Sequence, residues 1–251
     1  NKQDLADPAR TAQWLAHFHA LPRTRAQALE AKRAPAKALL AACRELAPTR
    51  TSALKPLRLL ICGIPNVGKS TFINALMGGR RATKTGDEPG VTKVEQKLML
   101  GHDCLIFDTP GMLWPKIAAP EAGWNLAASG AVGRNALDEE LVALELIERL
   151  QAGYPQALQA RYGLSAEPGA NAEELLALLA RKRGAVLGGG QLNLQKAAEI
   201  LIHEFRQGLL GRITLETPEQ FAAWSAAALA AAQEVAQEVA QEAAEQAAEK
   251  E

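Results

Sequence analysis

Two short stretches hold residue types that could build one chemical site, and they stand in an unexpected order. Gly63-Ile64-Pro65-Asn66-Val67-Gly68-Lys69-Ser70 fits GxxxxGK[ST], between an apolar run at 57–62 and a helix-prone stretch at 71–77. Strand, glycine loop and helix start form the setting that this motif requires. The glycines let successive backbone N–H groups face one phosphate, and the helix N-terminus adds its positive end. Pro65, Asn66, Val67, Gly68, Lys69, Ser70 and Thr71 are therefore expected to cradle phosphates. Lys69 is expected to reach the β- and γ-phosphates and Ser70 to ligate Mg²⁺. The chain opens on Asn1-Lys2-Gln3-Asp4, which fits NKxD. In that motif the aspartate accepts two N–H bonds from the guanine edge. Adenine cannot supply them, and an unmatched buried carboxylate is costly, so discrimination is strong. Asn125, Asn135, Asn171 and Asn193, downstream, lack the following lysine and the aspartate three places on. Asn1, Lys2 and Asp4 are thus the expected base readers, placed before the phosphate loop rather than after it.

Two further stretches complete a nucleotide site. The segment TKTGDEPGVTKVEQ (83–96) is polar and glycine-bearing, as a switch loop is, and Thr92 is the expected second Mg²⁺ ligand. In LIFDTPGMLWP (105–115) an apolar strand ends at Asp108, followed by Thr109-Pro110-Gly111. Asp108 suits a water-mediated Mg²⁺ role, and the Gly111 N–H suits γ-phosphate sensing. The position after Gly111, where many small GTPases carry glutamine to orient water, holds Met112. No residue of the sequence is assigned as the hydrolytic catalyst. His17 and His19 read as surface or packing residues of the helix after NKQD.

The order NKQD, GIPNVGKST, TGDEPGVT, DTPGMLWP resembles the circularly permuted ribosome-assembly GTPases, in the ribosome biogenesis GTPase A (YlqF/RbgA) group. LQAGYPQALQARYGL, ARKRGAVLGGGQLN and GRITLETP look like that family's C-terminal domain, so the likeness covers roughly residues 1–218. The resemblance implies an α/β P-loop GTPase fold with circularly permuted motif order, NKxD first, followed by an α-helical C-terminal domain. The expected division is a G domain at 1–121, a helical RNA- or ribosome-contacting domain at 122–215, and an acidic Ala/Glu-rich tail at 216–251. It implies a GTP/GDP-binding enzyme with Mg²⁺, slow alone and stimulated by the ribosome, that docks on the large ribosomal subunit and leaves on hydrolysis. Set against the Ser-Ala-Lys loop, ALEAKRAPAK (28–37) places Glu30, Ala31 and Lys32 there, with the Ala31 N–H meeting the guanine carbonyl. Asn66 resembles the asparagine with which related GTPases hold K⁺ near the phosphates. Arg181, Lys182 and Arg183, with Arg206 and Arg212, are candidate rRNA phosphate contacts. The family has a segment before NKxD, including a strand and a histidine thought to assist hydrolysis, that this sequence does not show. The sequence is accordingly expected to be a shortened form of a longer protein. The acidic tail is extra.

Composition supports this frame. The chain has 251 residues, 48% apolar and 4% aromatic, with formal charge +0. Residues 216–251 hold eight glutamates and one lysine, so the first 215 carry 27 basic against 20 acidic residues. A mildly basic body suits an RNA partner. Cys43, Cys62 and Cys104 form no CxxC pair, which suits a reducing compartment and a cytoplasmic protein. No apolar run reaches the roughly 18 residues of a membrane span. A monomer is expected. Two other readings are kept: a nucleotide-gated RNA-binding scaffold with negligible turnover, and a signalling GTPase acting on a protein effector. An ATPase is disfavoured by NKQD.

Overall fold

The computed structural model describes residues 1–50, 52, 54–78, 96–114, 117–133, 138–165 and 169–248. Three strands form one sheet in the order β1-β3-β2, with β1 at Leu57–Ile61, β2 at Gln96–Leu100 and β3 at Cys104–Asp108. β1 and β3 run parallel, Leu57 opposite Cys104 and Ile61 opposite Asp108. β2 runs antiparallel to β3, so the sheet is mixed rather than all parallel. The reason is local: only the turn at 101–103 separates β2 from β3, and a parallel pairing needs a crossover of a dozen residues or more. Strand side chains alternate faces. Leu57, Leu59 and Ile61 on β1 and Cys104 and Ile106 on β3 therefore point one way. They pack with Leu39, Leu40 and Cys43 of α2 (Ala36–Leu46) and with Ile73 and Leu76 of α3 (Lys69–Leu76). The opposite face shows Leu60 at 63% and Met99 at 64% exposure.

The second core is helical. α4 (Pro120–Ser129), α5 (Glu139–Gly153), α6 (Pro155–Tyr162), α7 (Ala172–Arg183) and α8 (Leu194–Arg206) enclose Leu146, Ile147, Leu150, Leu158, Leu176, Leu179 and Leu201, all nearly solvent-free. Their ends obey capping rules. Asp138 and Asn171 accept from first-turn N–H groups of α5 and α7, and proline opens α4 and α6. Gly163 and Gly184 stop α6 and α7 in the left-handed conformation that spares a Cβ clash. The triple glycine at 188–190 forms a tight turn that lets Val186 and Leu192 bridge.

α1 (Pro8–His19) follows the base-reading motif in sequence yet packs on the helical body. Asp7 caps it, accepting from the Ala9 and Arg10 N–H groups at 2.7 and 3.1 Å. The other Asp7 oxygen accepts from the Tyr154 hydroxyl at 3.0 Å, and the Asp7 N–H donates to Thr214 Oγ1 at 3.1 Å. Arg10 donates to the Thr214 carbonyl and lies 4.9 Å from the Tyr154 ring centre. α9 (Pro218–Ala248) begins by docking: Phe221 sits 6.1 Å from Trp14, and the Arg149 guanidinium lies 5.4 Å from the Trp224 ring. The expected acidic tail thus starts as a packed helix, because its first turns carry the aromatic residues that its later turns lack. No helix among the described residues is long and apolar enough to cross a membrane.

Candidate functional site: a guanine nucleotide pocket

The phosphate loop leaves β1 with Gly63 at φ +151° and enters α3 through Gly68 at φ +91°. Both angles lie where an L side chain is strained. At Gly68 there is a second reason. A Cβ there would come within 2.3 Å of the Asn1 amide nitrogen. Asn1 joins three segments distant in sequence: its Nδ2 donates to the Val67 carbonyl at 2.6 Å, and its Oδ1 accepts from the Ala31 N–H at 2.8 Å. The Gln3 N–H donates to the Leu29 carbonyl at 3.1 Å, which fastens the base reader to the loop at 28–37. The base-reading motif, the Ala31 loop and the phosphate loop are therefore one site. The Ala31 N–H, expected to meet the guanine carbonyl, is instead bonded to Asn1. The reason is proximity: Ala31 is buried against the asparagine that also ties down Val67. Asp4 is exposed, as is Lys32, while Lys2 holds a left-handed conformation at φ 57°.

Across the loop, Lys69 Nζ donates to the carbonyls of Gly63 and Ile64 at 3.0 and 2.9 Å. Burial holds its ammonium below the usual lysine range, with the Asp108 carboxylate working against that shift. Asp108 is fully buried at the end of β3, and burial pushes its carboxyl above the ordinary range while Lys69 pulls it down. Neither Asp108 oxygen has a hydrogen-bond partner among the described residues. A buried carboxylate without donors is costly, and such exceptions call for an explanation. A hydrated divalent cation supplies one, so the carboxylate fits a Mg²⁺ role, and Ser70, the second residue of α3, adds a hydroxyl of the kind Mg²⁺ takes. Thr109 sets the aim of this segment: its N–H and Oγ1 both donate to the Ile61 carbonyl, at 3.3 and 2.9 Å. Gly111 follows against the phosphate loop. A Cβ there would meet Pro65 backbone at 2.7 Å and Lys69 Nζ at 3.0 Å, so only glycine fits. Met112 and Trp114, just beyond, are 64% and 71% exposed. Thr92 and the rest of the expected switch at 83–95 lie outside the described residues.

A family model described as "50S ribosome-binding GTPase" matches residues 58–153. Ribosome biogenesis GTPase A of Bacillus cereus is 38% identical over 232 residues, covering 88% of this chain and 76% of that protein. The chain belongs to the ribosome biogenesis GTPase A family. The namesake protein of Priestia megaterium is 35% identical over 229 residues, covering 88% of this chain and 78% of its own. The GNP-bound structure of YlqF from T. maritima superposes with a TM-score of 0.60 at 26% identity, covering 88% of this chain and 80% of that one. The P-loop GTPase domain and GTP-binding character follow from this membership, and the pocket above is where its residues converge.

Most of the expected basic contacts hold partners within the chain. Arg183 donates to Glu204 at 3.0 Å and lies 5.0 Å from the Tyr162 ring centre. Arg161 adds two bonds to the same carboxylate at 2.7 and 3.0 Å, and the Tyr162 hydroxyl a third at 2.9 Å. These donors, Arg161 first, hold the Glu204 carboxyl below its ordinary range, while burial pushes the Tyr162 hydroxyl well up. Lys182 Nζ donates to the Gly163 carbonyl at 3.0 Å. Of the three, only the exposed Arg181 has no partner among the described residues. Arg206 and Arg212 also hold partners within the chain. Arg206 donates to the carbonyls of Ala127 and Ala128 at 2.7 and 2.8 Å, capping α4. Arg212 donates to the Gln3 and Ala6 carbonyls, both at 2.9 Å, bracing the base reader. The physical reason is shared: helix ends and irregular turns present carbonyls with a lone pair to spare, and a guanidinium takes two at once. Asn66, at φ 59°, donates from Nδ2 to the Gly130 carbonyl at 2.7 Å.

Proposed function

We propose that this chain is a GTP-hydrolysing assembly factor for the large ribosomal subunit, docking in the GTP state and leaving after hydrolysis. The observation that carries the nucleotide half is Asn1, bonded at once to the phosphate loop and to the Ala31 loop. Its position at the head of the sequence, with its bonds to a loop near residue 67, supports a circularly permuted G domain at 1–121. The separate helical core supports a second domain at 122–215. The ribosomal half rests on the relatives' names, whose match runs through the sheet and the helical core alike.

In this reading Asn1, Lys2 and Asp4 hold guanine, with Ala31 and Lys32 flanking it. The loop at 63–71 holds the phosphates. Lys69 leaves the Gly63 and Ile64 carbonyls to meet the β- and γ-phosphates, a short move within a fixed cradle. Ser70 and Thr92 would hold Mg²⁺, with Asp108 acting through a water, and the ion would offset charge developing on the transferred phosphoryl group. The Gly111 N–H senses the γ-phosphate. Asn66 turns its amide nitrogen to Gly130, so the amide oxygen is the end a K⁺ near the phosphates would use. Met112 has no group to orient water, so turnover alone is slow and rises on the ribosome. Arg181, Lys182 and Arg183, all exposed at the end of α7, are the candidate rRNA contacts. The protein works in the cytoplasm as a monomer.

Sedimentation with purified large ribosomal subunits tests the proposal, once with a non-hydrolysable GTP analogue and once with GDP. Pelleting with the analogue alone is expected. Absence from the pellet with both nucleotides would overturn the ribosomal assignment while leaving the guanine pocket intact.

A further inference from the structure

Asn66 holds a left-handed backbone, and its side chain reaches out of the phosphate loop. A non-glycine residue at φ 59° is uncommon, and asparagine tolerates it better than most. Its side chain is anchored by a bond from Nδ2 to the Gly130 carbonyl at 2.7 Å, reaching from the phosphate loop to the end of α4. A carbonyl only accepts, so the amide nitrogen must face it, and the amide's orientation is thereby fixed.

Gly130 is itself held. It closes α4 at φ +82°, donating to the Ala127 carbonyl at 3.0 Å. The Arg206 guanidinium, from α8, takes the Ala127 and Ala128 carbonyls in a two-pronged grip at 2.7 and 2.8 Å. A Cβ on Gly130 would lie 3.2 Å from that guanidinium, so the glycine backbone rests directly on it. The cation also sits at the negative end of α4, where it is electrostatically favoured. Arg206 thus decides where the Gly130 carbonyl points, and the carbonyl decides how Asn66 stands in the loop.

We infer that Arg206 is a positioning residue for the phosphate loop, acting through Gly130 and Asn66, so that the packing of the helical body sets how tightly the nucleotide is held. This rests on the loop at 63–71 being the phosphate site. It assigns Arg206 to nucleotide retention rather than to RNA, and makes α4 and α8 the route by which a partner on the helical body changes nucleotide exchange. By reciprocity, bound nucleotide biases the helical body equally.

A double-mutant cycle tests it, with the dissociation rate of mant-GDP as readout and thermal melting alongside. R206Q is expected to speed dissociation about five- to tenfold in the parent, and less than about twofold in an N66A background, as coupled neighbours do. R206K, which keeps a cation at the end of α4 but cannot grip both carbonyls, is expected to recover only part of the loss. An equal effect of R206Q in both backgrounds would overturn the relay, as would an N66A protein that releases mant-GDP at the parent rate. If R206Q melts near the assay temperature, G130A replaces it in the same cycle, because an alanine is strained at φ +82° and its Cβ, 3.2 Å from the guanidinium, shifts the contact between the two. Failure of the parent chain to bind mant-GDP would overturn the site assignment and the relay together, whereas binding with an additive cycle overturns the relay alone.

Discussion

The sheet layer and the helical body solve the problem of stability differently. The helical body is a closed core: five helices with regular caps surround leucines that see almost no solvent. The sheet layer is three strands with helices on one face, and its other face leaves Leu60 and Met99 largely exposed. Its working parts are held by long-range polar bonds instead. Asn66 reaches Gly130, Arg212 grips Gln3 and Ala6, and the Ile213 N–H donates to the Leu5 carbonyl at 2.9 Å. Stability resides in one region and chemistry in the other, with the chemistry braced from outside. A phosphate site needs glycine loops and buried charge, neither of which builds a core.

The comparison can be broken most directly in the helical core. Leu201→Ala, at a site with no solvent exposure, is expected to cost about 3–5 kcal/mol in urea unfolding. A cost below about 1 kcal/mol would mean that the body is not the stabilising region. Glu204→Ala comes next. It strands Arg161 and Arg183 and is expected to cost about 2–3 kcal/mol, discounted for partial exposure of both arginines. The Glu204 carboxyl is depressed in the fold, so its contribution is present above the ordinary carboxylate range and lost as pH falls through the depressed value. The difference between parent and Glu204→Ala should therefore shrink in acid; a pH-independent difference would contradict the ion network.

Asp108→Asn sharpens the contrast, because it should move function and stability in opposite directions. GTP affinity in Mg²⁺ is expected to fall by at least about tenfold, the scale of losing a partner of a metal-bound water. Burial raises the Asp108 carboxyl, so ionising it costs stability, and that cost sets in as pH rises above the ordinary carboxylate range. The nucleotide-free variant should thus lose less melting temperature between pH 4 and 8 than the parent. A steeper loss would mean that the carboxylate is satisfied in the free protein. The smallest effect is expected for Leu60→Ser on the open sheet face, within about 0.5 kcal/mol of the parent. A larger loss would show that this face is covered in solution.

The nucleotide motifs were legible because their chemistry needs particular residues. Gly63, Gly68 and Gly111 are glycines for backbone angle or close approach, Lys69 and Asp108 for charge, and Asn1 for a two-ended amide. The helices of the body were legible from apolar spacing and from stops such as Gly184. The antiparallel β2 followed from a short turn that the apolar pattern alone did not weigh. The arginines were legible only in part. Arg183, Arg206 and Arg212 read as a surface for nucleic acid because charge usually faces water. Each also binds a carboxylate or carbonyls brought near by folding, which no local pattern announces. The first turns of α9 were read as tail because their glutamate-rich continuation dominated the pattern, although Phe221 and Trp224 were there to be seen.

By itself, the sequence determined which motifs the chain carries and in what order, since a phosphate cradle, a base reader and an acidic strand end each demand a fixed residue type at a fixed local spacing. Only the tertiary structure decided how that site is held. Its braces run to backbone carbonyls of Gly130, Gln3 and Ala6, and every residue carries a carbonyl. No side-chain pattern announces which carbonyl a folding helix end will leave unbonded, or which distant arginine or asparagine will arrive there to take it.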